Sequence, residues 1–272
     1  ETFSNIITPF FSGAGPLLRA LRRPVSFLSN FANIFIRLFQ TRRFLAALKE
    51  HDVVYIQKLA LPLPLQERIK RANPAIAFDY DDAVYMKDDP VYKARFDGML
   101  ATAKLITVEN DHTADYARRI NNSILQMTGP IDCGRYAPRP EPKGPGENIV
   151  IGWIGSDSTT EYLLPLAGAL KALCEEFPNV RLEFIGARRL DEFGPKCVYK
   201  KWSLDTEAAD IGNFDIGLMP MPDDEWSRGK CGFKALLYMS AAIPVVASPV
   251  GINGDIVRDG VNGYLASTPA EW

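Results

Sequence analysis

The sequence has little of the chemistry that metal centres and disulfide-stabilised folds require. It contains only two histidines and four cysteines in 272 residues. The cysteines are widely separated, with no Cys-x-x-Cys pair and no histidine beside them: Cys133, Cys174, Cys197 and Cys231. This spacing indicates neither a zinc site nor a disulfide framework. A reducing cytosol is the simplest compartment for such a chain.

Long apolar runs are also absent. The longest, VSFLSNFANIFI from Val25, covers about a dozen residues with polar interruptions, which is too short to cross a bilayer. The region continues into RLFQTRRFLAALKE without the small-residue cleavage site of a signal peptide. We therefore expect a chain that does not span a membrane.

Acidic residues are missing between Glu1 and Glu50, whereas basic residues are frequent there: Arg19, Arg22, Arg23, Arg37, Arg42, Arg43 and Lys49. The pattern over residues 16–49 predicts basic, amphipathic helices. One interpretation is a helix pair that packs its apolar face on its own domain. The other is a surface that meets anionic lipid, at the inner face of the membrane.

Two nucleotide-binding signatures are absent. The chain has neither a Gly-x-Gly-x-x-Gly fingerprint nor a P-loop, so dinucleotide and nucleoside-triphosphatase functions lose their main support. The net charge is −2, and the basic residues are concentrated locally. Nucleic acid is therefore not an expected partner.

The segments that are present alternate between buried strands and helices. In the first half, HDVVYIQK, AIAFDYDD and AKLITVEN have the continuous apolar character of strands in a parallel sheet. The segment APRPEPKGPGEN then packs four prolines and two glycines into twelve residues, as a linker does. We predict an α/β chain with a first domain at 1–138, a linker at 139–147 and a second domain at 148–272.

In the second domain the alternation continues to the end of the chain. The predicted strands are NIVIGWIG, VRLEFIG, KCVYKKW, FDIGLMP, IPVVAS and NGYLAS, and helices are predicted at EYLLPLAGALKALCEEF and GFKALLYMSA. This order predicts a doubly wound sheet, whose ligands bind outside the carboxyl ends of the strands at the topological switch point.

The first unusual strand end is WIGSDSTTEYL. A glycine turn with hydroxyl side chains before a helix is how a phosphate site is built, and the candidates are Gly155, Ser156, Ser158 and Thr159. The alternative is that Ser158 or Thr159 only caps the helix, with Glu161 nearby.

The second unusual strand end leads into MPDDEWSRGKCGFK. Three cations, Arg228, Lys230 and Lys234, lie beside a helix predicted to begin near Cys231, where the helix dipole is already positive. This placement favours a bound diphosphate. The alternative is that neighbouring acids neutralise the cations in a surface network: Asp223, Asp224 and Glu225.

The run RGKCGFKALLYMSAAIPVVASPVGINGDIVRDGVNGYLAS resembles the donor-binding half of GT-B glycosyltransferases of family 4. IGWIGSDSTTEYL, WSLDTEAADIGNFDIGLMP, DYARRI and GPIDCGRYAP are similar to other parts of that fold, and FDYDDAVY and TVENDHTADYA resemble a subgroup in the first domain. The resemblance implies two Rossmann-like domains facing across a cleft. It also implies a nucleotide sugar on the second domain and an acceptor on the first, retention of anomeric configuration, no cofactor and no obligatory metal.

By this resemblance Lys234 matches a lysine near the leaving diphosphate, with Arg228 next and Lys230 in donor binding. Many relatives carry two glutamates eight positions apart, and the aligned positions here hold Gly229 and Leu237, which leaves the ribose contact unassigned. His112 is a candidate without a matching motif.

On the acceptor side, Asp79, Asp81 and Asp82 follow a predicted strand. Asp81 and Asp82 are candidates to orient an acceptor hydroxyl, and helix capping is the alternative we favour. A metal role for these carboxylates is possible but not demanded.

The resemblance further implies that both ends are trimmed, since a first strand before ETFSNIITPFFS and final helices after TPAEW are expected. The function expected is transfer of a sugar to a glycan or lipid-linked acceptor in the making of cell-surface polysaccharide. Two alternatives stay open: a catalytically silent nucleotide-sugar or partner-binding subunit, and a sugar-nucleotide epimerase.

Overall fold

The computed structural model describes residues 40–141, 143–144 and 146–272. The described residues form two parallel sheets, one in each half of the chain. The first sheet has the order β1-β2-β3-β4, and all its strand pairs are parallel: β1 (Val54–Gln57), β2 (Ile76–Asp79), β3 (Leu105–Val108) and β4 (Ile124–Gln126). The three strands predicted in this half are confirmed. The sequence analysis missed β4, which has only three residues.

Helices connect the strands of the first sheet: Leu63–Ala72, Pro90–Thr102 and Asp111–Arg118, with a short 3-10 helix at Val84–Met86. Local chemistry fixes their starts. Asp89 caps the second helix by accepting from the Val91 N–H at 2.9 Å, and Pro90 takes the first helical position, where no N–H is needed. Asn110 caps the third helix by accepting from the Thr113 N–H at 2.9 Å.

Residues 40–48 are helical, in agreement with the predicted basic helices. Leu48 is buried in the core of the first domain and Leu45 packs against it. This part of the segment therefore packs on its own domain. The rest of the predicted helical region, and the strand expected at ETFSNIITPFFS, lie outside the described residues.

The second sheet has six parallel strands in the order β10-β9-β8-β5-β6-β7. Their bounds are β5 (Ile149–Ile154), β6 (Val180–Ile185), β7 (Cys197–Lys200), β8 (Ile216–Met219), β9 (Val245–Ala247) and β10 (Gly263–Leu265). All six predicted strands are confirmed. The chain winds from β5 to one side and then from β8 to the other, so the switch point lies between β5 and β8.

The helices of the second domain are Ala167–Glu176, Glu207–Gly212, Glu225–Arg228, Phe233–Ser240 and Asn253–Ile256, with 3-10 helices at Asp157–Leu166 and Asp191–Phe193. The helix predicted from Glu161 begins as the 3-10 segment because Pro165 interrupts it. The sheet is covered on both faces. One core contains Phe214, Tyr238 and Val245, and the other contains Trp153, Leu182 and Phe184.

The segment before and within the predicted linker is tied to the second domain. Tyr136 is buried in a second-domain core, and its hydroxyl donates to Glu207. The Arg139 guanidinium donates to Asp215 at 2.9 Å, and Lys143 pairs with the same carboxylate. Packing therefore places Tyr136 with the second domain, although the sequence analysis assigned it to the first.

None of the helices among the described residues combines the length and the hydropathy needed to cross a bilayer.

Candidate functional site

The candidate site lies at the carboxyl end of β5, beside the switch point. A Cβ on Gly155 would lie 2.4 Å from ring carbons of Trp153 and 2.8 Å from the Lys234 Nζ, so only glycine fits there. The Gly155 N–H donates to the Ile185 carbonyl at 3.0 Å. That N–H is therefore not free for a phosphate, so Gly155 can contribute the tight turn and the groups that follow it must supply the donors.

The hydroxyl groups of this turn face one another. The Ser156 and Ser158 Oγ atoms are 2.8 Å apart, and the Thr159 hydroxyl donates to the Ser156 carbonyl at 3.0 Å. Ser156 is the N-cap residue of the 3-10 helix, and its side chain makes no capping hydrogen bond. Ser158 and Thr159 lie inside this helix and not at its N-cap, so the capping alternative is wrong for both. The first N–H groups of the helix are where an anion would bind.

Lys234 projects into the same place from the second position of the helix Phe233–Ser240, which Gly232 starts from a left-handed conformation at φ 70°. Its Nζ lies 4.5 Å from the centre of the Trp153 ring. Among the described residues no carboxylate pairs with this half-buried amine. Burial, and secondarily Lys230, lower the pKa of Lys234 to about 8, and Asp82 opposes this shift. A desolvated ammonium without a counterion is a site for an anion.

Arg228 does not join Lys234 at that helix end. It closes a separate short helix, Glu225–Arg228, which Asp224 caps. Its side chain is exposed, with Nε 2.7 Å from Asp223 and Nη1 3.8 Å from Glu225. The hydrogen bond to Asp223 raises the pKa of Arg228. The surface-network alternative therefore describes Arg228, and the three cations do not meet at one helix end.

Lys230 lies between the two helices and reaches across to the first domain. Its Nζ is 3.2 Å from the Asp82 carboxylate and 4.7 Å from the centre of the Trp226 ring. The helix Phe233–Ser240 begins after Lys230, so this lysine is not on the helix that carries Lys234. Lys230 is an available cation only if Asp82 releases it.

The segment at residues 226–231, which begins in the short helix Glu225–Arg228 and ends before the helix Phe233–Ser240, forms the contact between the domains. A Cβ on Gly229 would lie 2.8 Å from the Ala83 backbone nitrogen, and Asn110 donates to the Lys230 carbonyl at 2.9 Å. Trp226 packs against the first-domain core. Gly229 therefore has no room for the glutamate that many relatives carry. Leu237, at the second glutamate position, is buried in a second-domain core.

Three aspartates of the first domain, Asp79, Asp81 and Asp82, lie opposite this segment. Asp79 accepts from Gln57 at 2.9 Å, Asp81 pairs with Lys58, and Asp82 adopts a left-handed conformation at φ 56°. Ala83, not an aspartate, precedes the 3-10 helix Val84–Met86, so Asp81 and Asp82 do not cap it. Their carboxylates make ion pairs instead, and Asp82 faces the second domain.

His112, the candidate histidine, lies at the edge of the contact between the domains. The His112 Nε2 is 3.4 Å from the Glu225 carboxylate, and the ring is half-buried in the first turn of the helix Asp111–Arg118. His112 therefore faces the second domain but pairs with an exposed acid away from Lys234.

Glu109 is a site residue that the sequence analysis did not single out. Its carboxylate, that of Asp81 and the Cys231 Sγ lie within 4.8 Å of one another. Its Oε2 is buried and has no hydrogen-bond partner among the described residues. Burial, and then Asp79 and Asp82, raise the pKa of Glu109 to about 7, against the effect of Lys58. The available signal was its place directly after β3 in TVEN.

A cavity of about 420 Å³ opens at the carboxyl ends of β6 and β7, lined by Gly186, Ala187, Tyr199, Lys200, Lys201 and Trp202. It adjoins the Gly155 turn, since a Cβ on Gly186 would lie 2.1 Å from the Gly155 carbonyl oxygen. Trp202 is 46% exposed. An aromatic wall beside the Gly155 turn suits a planar base, and no motif in the sequence indicated this cavity.

The second domain matches a known family. Residues 148–272 match the family described as Glycosyl transferases group 1. This range coincides with the predicted second domain and contains Gly155, Lys234 and the cavity.

Several solved glycosyltransferase structures have the same fold. A glycosyltransferase from Rickettsia africae is 12% identical, with 86% of this chain and 68% of that chain covered and a TM-score of 0.65. Anabaena HepE in complex with UDP and glucose is 15% identical, with 84% and 67% covered and a TM-score of 0.59. Sucrose-phosphate synthase from Thermosynechococcus elongatus is 14% identical, with 81% and 61% covered and a TM-score of 0.60. The chain therefore has the predicted GT-B fold.

A curated protein named LexA repressor, from Cupriavidus pinatubonensis, is 26% identical over 124 residues, which are 45% of this chain and 49% of that protein. The chain thus spans about half the length of this relative. The name and the family match point to different functions. The described fold agrees with the family match.

Glu109 gives folding a pH dependence. Because its pKa is raised to about 7, its contribution to stability is fully present below the unfolded value near 4.5 and is lost as pH rises through 7. Glu109→Gln cannot ionise. At pH 8 we expect it to be on the order of 1–3 kcal/mol more stable than the wild type, and about equal at pH 5.

Urea unfolding at the two pH values measures this difference. Glu67→Gln, an exposed glutamate on the helix Leu63–Ala72, is the matched control and is expected to change nothing. The same difference between Glu109→Gln and the wild type at both pH values would contradict the assignment.

Proposed function

We propose that this chain, whose second domain matches the family described as Glycosyl transferases group 1, is a retaining glycosyltransferase that uses a nucleoside diphosphate sugar. The observation that carries the proposal is the half-buried Lys234 ammonium, which faces the Gly155 turn and has no carboxylate partner in the part of the chain that the structure describes. A diphosphate placed there would supply the missing negative charge. The solved structures of HepE with UDP and with UDP-glucose support UDP as the first probe.

In this proposal each part of the donor has its own place. The cavity beside Trp202 takes the base, and Lys234 with the N-terminal N–H groups near Ser156 takes the diphosphate. The sugar then extends toward the first domain, where Asp82 and Glu109 lie. Arg228, which exposed acids already neutralise, has no direct role in this arrangement.

In the transfer step, the bond between the anomeric carbon and the phosphate oxygen breaks, and its electron pair stays on that oxygen. The acceptor oxygen bonds to the anomeric carbon, and the acceptor proton passes to the departing phosphate. Fixed positive charge beside the leaving oxygen stabilises the transition state, and removing one such donor costs about 3 kcal/mol in comparable sites. We assign that role to Lys234.

One structural feature favours a second candidate function. Gly229 and Leu237 stand where many relatives carry two glutamates. Position 229 has no room for a side chain, and Leu237 is buried in an apolar core, where a carboxylate is unfavourable. A subunit that binds a nucleotide sugar without transferring it would tolerate this loss. Binding without transfer or hydrolysis, in a longer version of the protein, would select this candidate.

We further propose a glycan or lipid-linked acceptor in cell-surface polysaccharide synthesis, met at an anionic membrane surface through the basic segment at residues 16–49. The described helix at 40–48 packs Leu45 and Leu48 on the first domain and leaves Phe44 exposed. Sedimentation with anionic vesicles is expected and should decline between about 50 and 200 mM salt as charges are screened. If the protein does not sediment with the vesicles, or sediments independently of salt, the segment packs on its own domain and does not bind the membrane.

The Lys234 assignment predicts a pH-dependent nucleotide affinity. Because burial lowers the Lys234 pKa to about 8, the amine loses its charge above that pH, and the affinity for UDP should fall. Lys234→Ala is expected to weaken UDP binding by at least tenfold at pH 7, about 1.4 kcal/mol. Isothermal titration calorimetry measures both effects.

The matched control is Lys171→Ala, an exposed lysine on the helix Ala167–Glu176. It is expected to bind UDP as the wild type does. Equal binding by Lys234→Ala and Lys171→Ala, or an affinity that stays constant from pH 7 to pH 9, would remove Lys234 from the site.

Asp82 competes with a diphosphate for Lys230. Because the Lys230–Asp82 pair is 3.2 Å long and partly shielded from water, Asp82→Asn should free the ammonium and raise UDP affinity several-fold, about 1 kcal/mol. The measurement is made at pH 7, since Asp82 also supports the charge of Lys234. Asp88→Asn, an exposed residue nearby, is the control. Unchanged or weaker binding by Asp82→Asn would show that Lys230 does not reach the nucleotide.

A further inference from the structure

Glu109 has a carboxylate oxygen that the described protein leaves without a donor. The residue directly follows β3, and the next residue, Asn110, donates to the Lys230 carbonyl of the second domain at 2.9 Å. One oxygen, Oε1, faces the Gly129 backbone, where a Cβ would lie only 2.9 Å away. The other, Oε2, is buried and has no hydrogen-bond partner within residues 40–141, 143–144 and 146–272. A buried acceptor without a donor costs stability and marks a place where a ligand group is expected.

The groups around Glu109 limit the chemistry of that ligand. Asp79, Asp81 and Asp82 face it from the end of β2, Lys58 from the end of β1, and Cys231 from the second domain. Lys58 is already paired with Asp81. Three neighbouring carboxylates repel a phosphate, whereas a neutral hydroxyl can donate to Oε2 without adding negative charge.

The position of Glu109 relative to Lys234 also fits a sugar. Cys231, within 4.8 Å of the Glu109 and Asp81 carboxylates, lies three residues before Lys234, just ahead of the helix Phe233–Ser240 that carries this lysine. Asp82 acts electrostatically on both Glu109 and Lys234. A diphosphate at Lys234 therefore leaves the adjoining sugar ring on the side of Glu109.

We propose that Glu109 accepts a hydrogen bond from a sugar hydroxyl held in the cleft between the domains, and so recognises the sugar part of the substrate. This inference rests on the proposed function. The hydroxyl comes from the donor sugar or from the acceptor, and both sources offer the same chemistry. The cleft must open for the sugar to enter, because Oε2 is buried and Cys231 of the second domain lies within 4.8 Å of the carboxylate.

The experiment compares UDP with UDP-glucose, and GDP with GDP-mannose as a second pair, by calorimetry in EDTA at pH 8. The variants are Glu109→Gln and the control Glu67→Gln. If the hydroxyl belongs to the donor, Glu109→Gln lowers the affinity for the nucleotide sugar about tenfold relative to the bare nucleotide, whose binding is unchanged. In the wild type, the affinity for the nucleotide sugar relative to the bare nucleotide also falls as the pH drops below 7, because Glu109 is then protonated. In Glu109→Gln this ratio does not change with pH.

If the hydroxyl belongs to the acceptor, Glu109→Gln keeps this affinity ratio and lowers transfer relative to donor hydrolysis by a similar factor. A Glu109→Gln variant that matches Glu67→Gln in the affinity ratio and in the ratio of transfer to hydrolysis would overturn this inference and leave the proposed function standing. Absence of nucleotide binding by the wild type would overturn the proposed function and this inference together.

Discussion

The close approach of the segment at residues 226–231 to the carboxyl ends of β2 and β3 determines which charged groups meet in the cleft between the domains. Gly229 meets the Ala83 backbone so closely that no side chain fits between them. This contact brings the acids of the first domain within reach of the cations of the second. It also removes the space that a glutamate would need at position 229. The chemistry of the cleft is therefore divided between two domains, with cations on one side and carboxylates on the other.

The two lysines of this cleft differ in how their charge is balanced. Lys230 is neutralised by Asp82 across the domain contact, whereas Lys234 lies over an indole ring without a carboxylate partner among the described residues. A cation held in a partly desolvated place without a counterion raises the free energy of the unliganded protein. Its low pKa is the measurable sign of that cost. Binding a diphosphate would relieve it, which is why Lys234 and not Arg228 is central to the proposed activity.

The sequence was sufficient to predict all the described strands except β4, but not the contact between the two domains. Strands such as β5 and β9 are continuous apolar runs, and burial on both faces of a parallel sheet requires that pattern. Arg228 was misplaced because a four-residue helix, capped by Asp224, intervenes before Gly232 starts the next helix. Glu109 was overlooked because the groups around it, among them Asp79 and Cys231, are distant in sequence, and no local periodicity reports such contacts. The Trp202 cavity was overlooked because no motif marks the carboxyl ends of β6 and β7, which line it.

The most direct test of this account is a crystal structure of the protein with UDP. The account predicts a diphosphate whose oxygens lie about 3 Å from the Lys234 Nζ and from the N–H groups that follow Gly155, with the base beside Trp202. UDP bound elsewhere, or a Lys234 amine that contacts a carboxylate while the diphosphate lies away from it, would contradict the central claim.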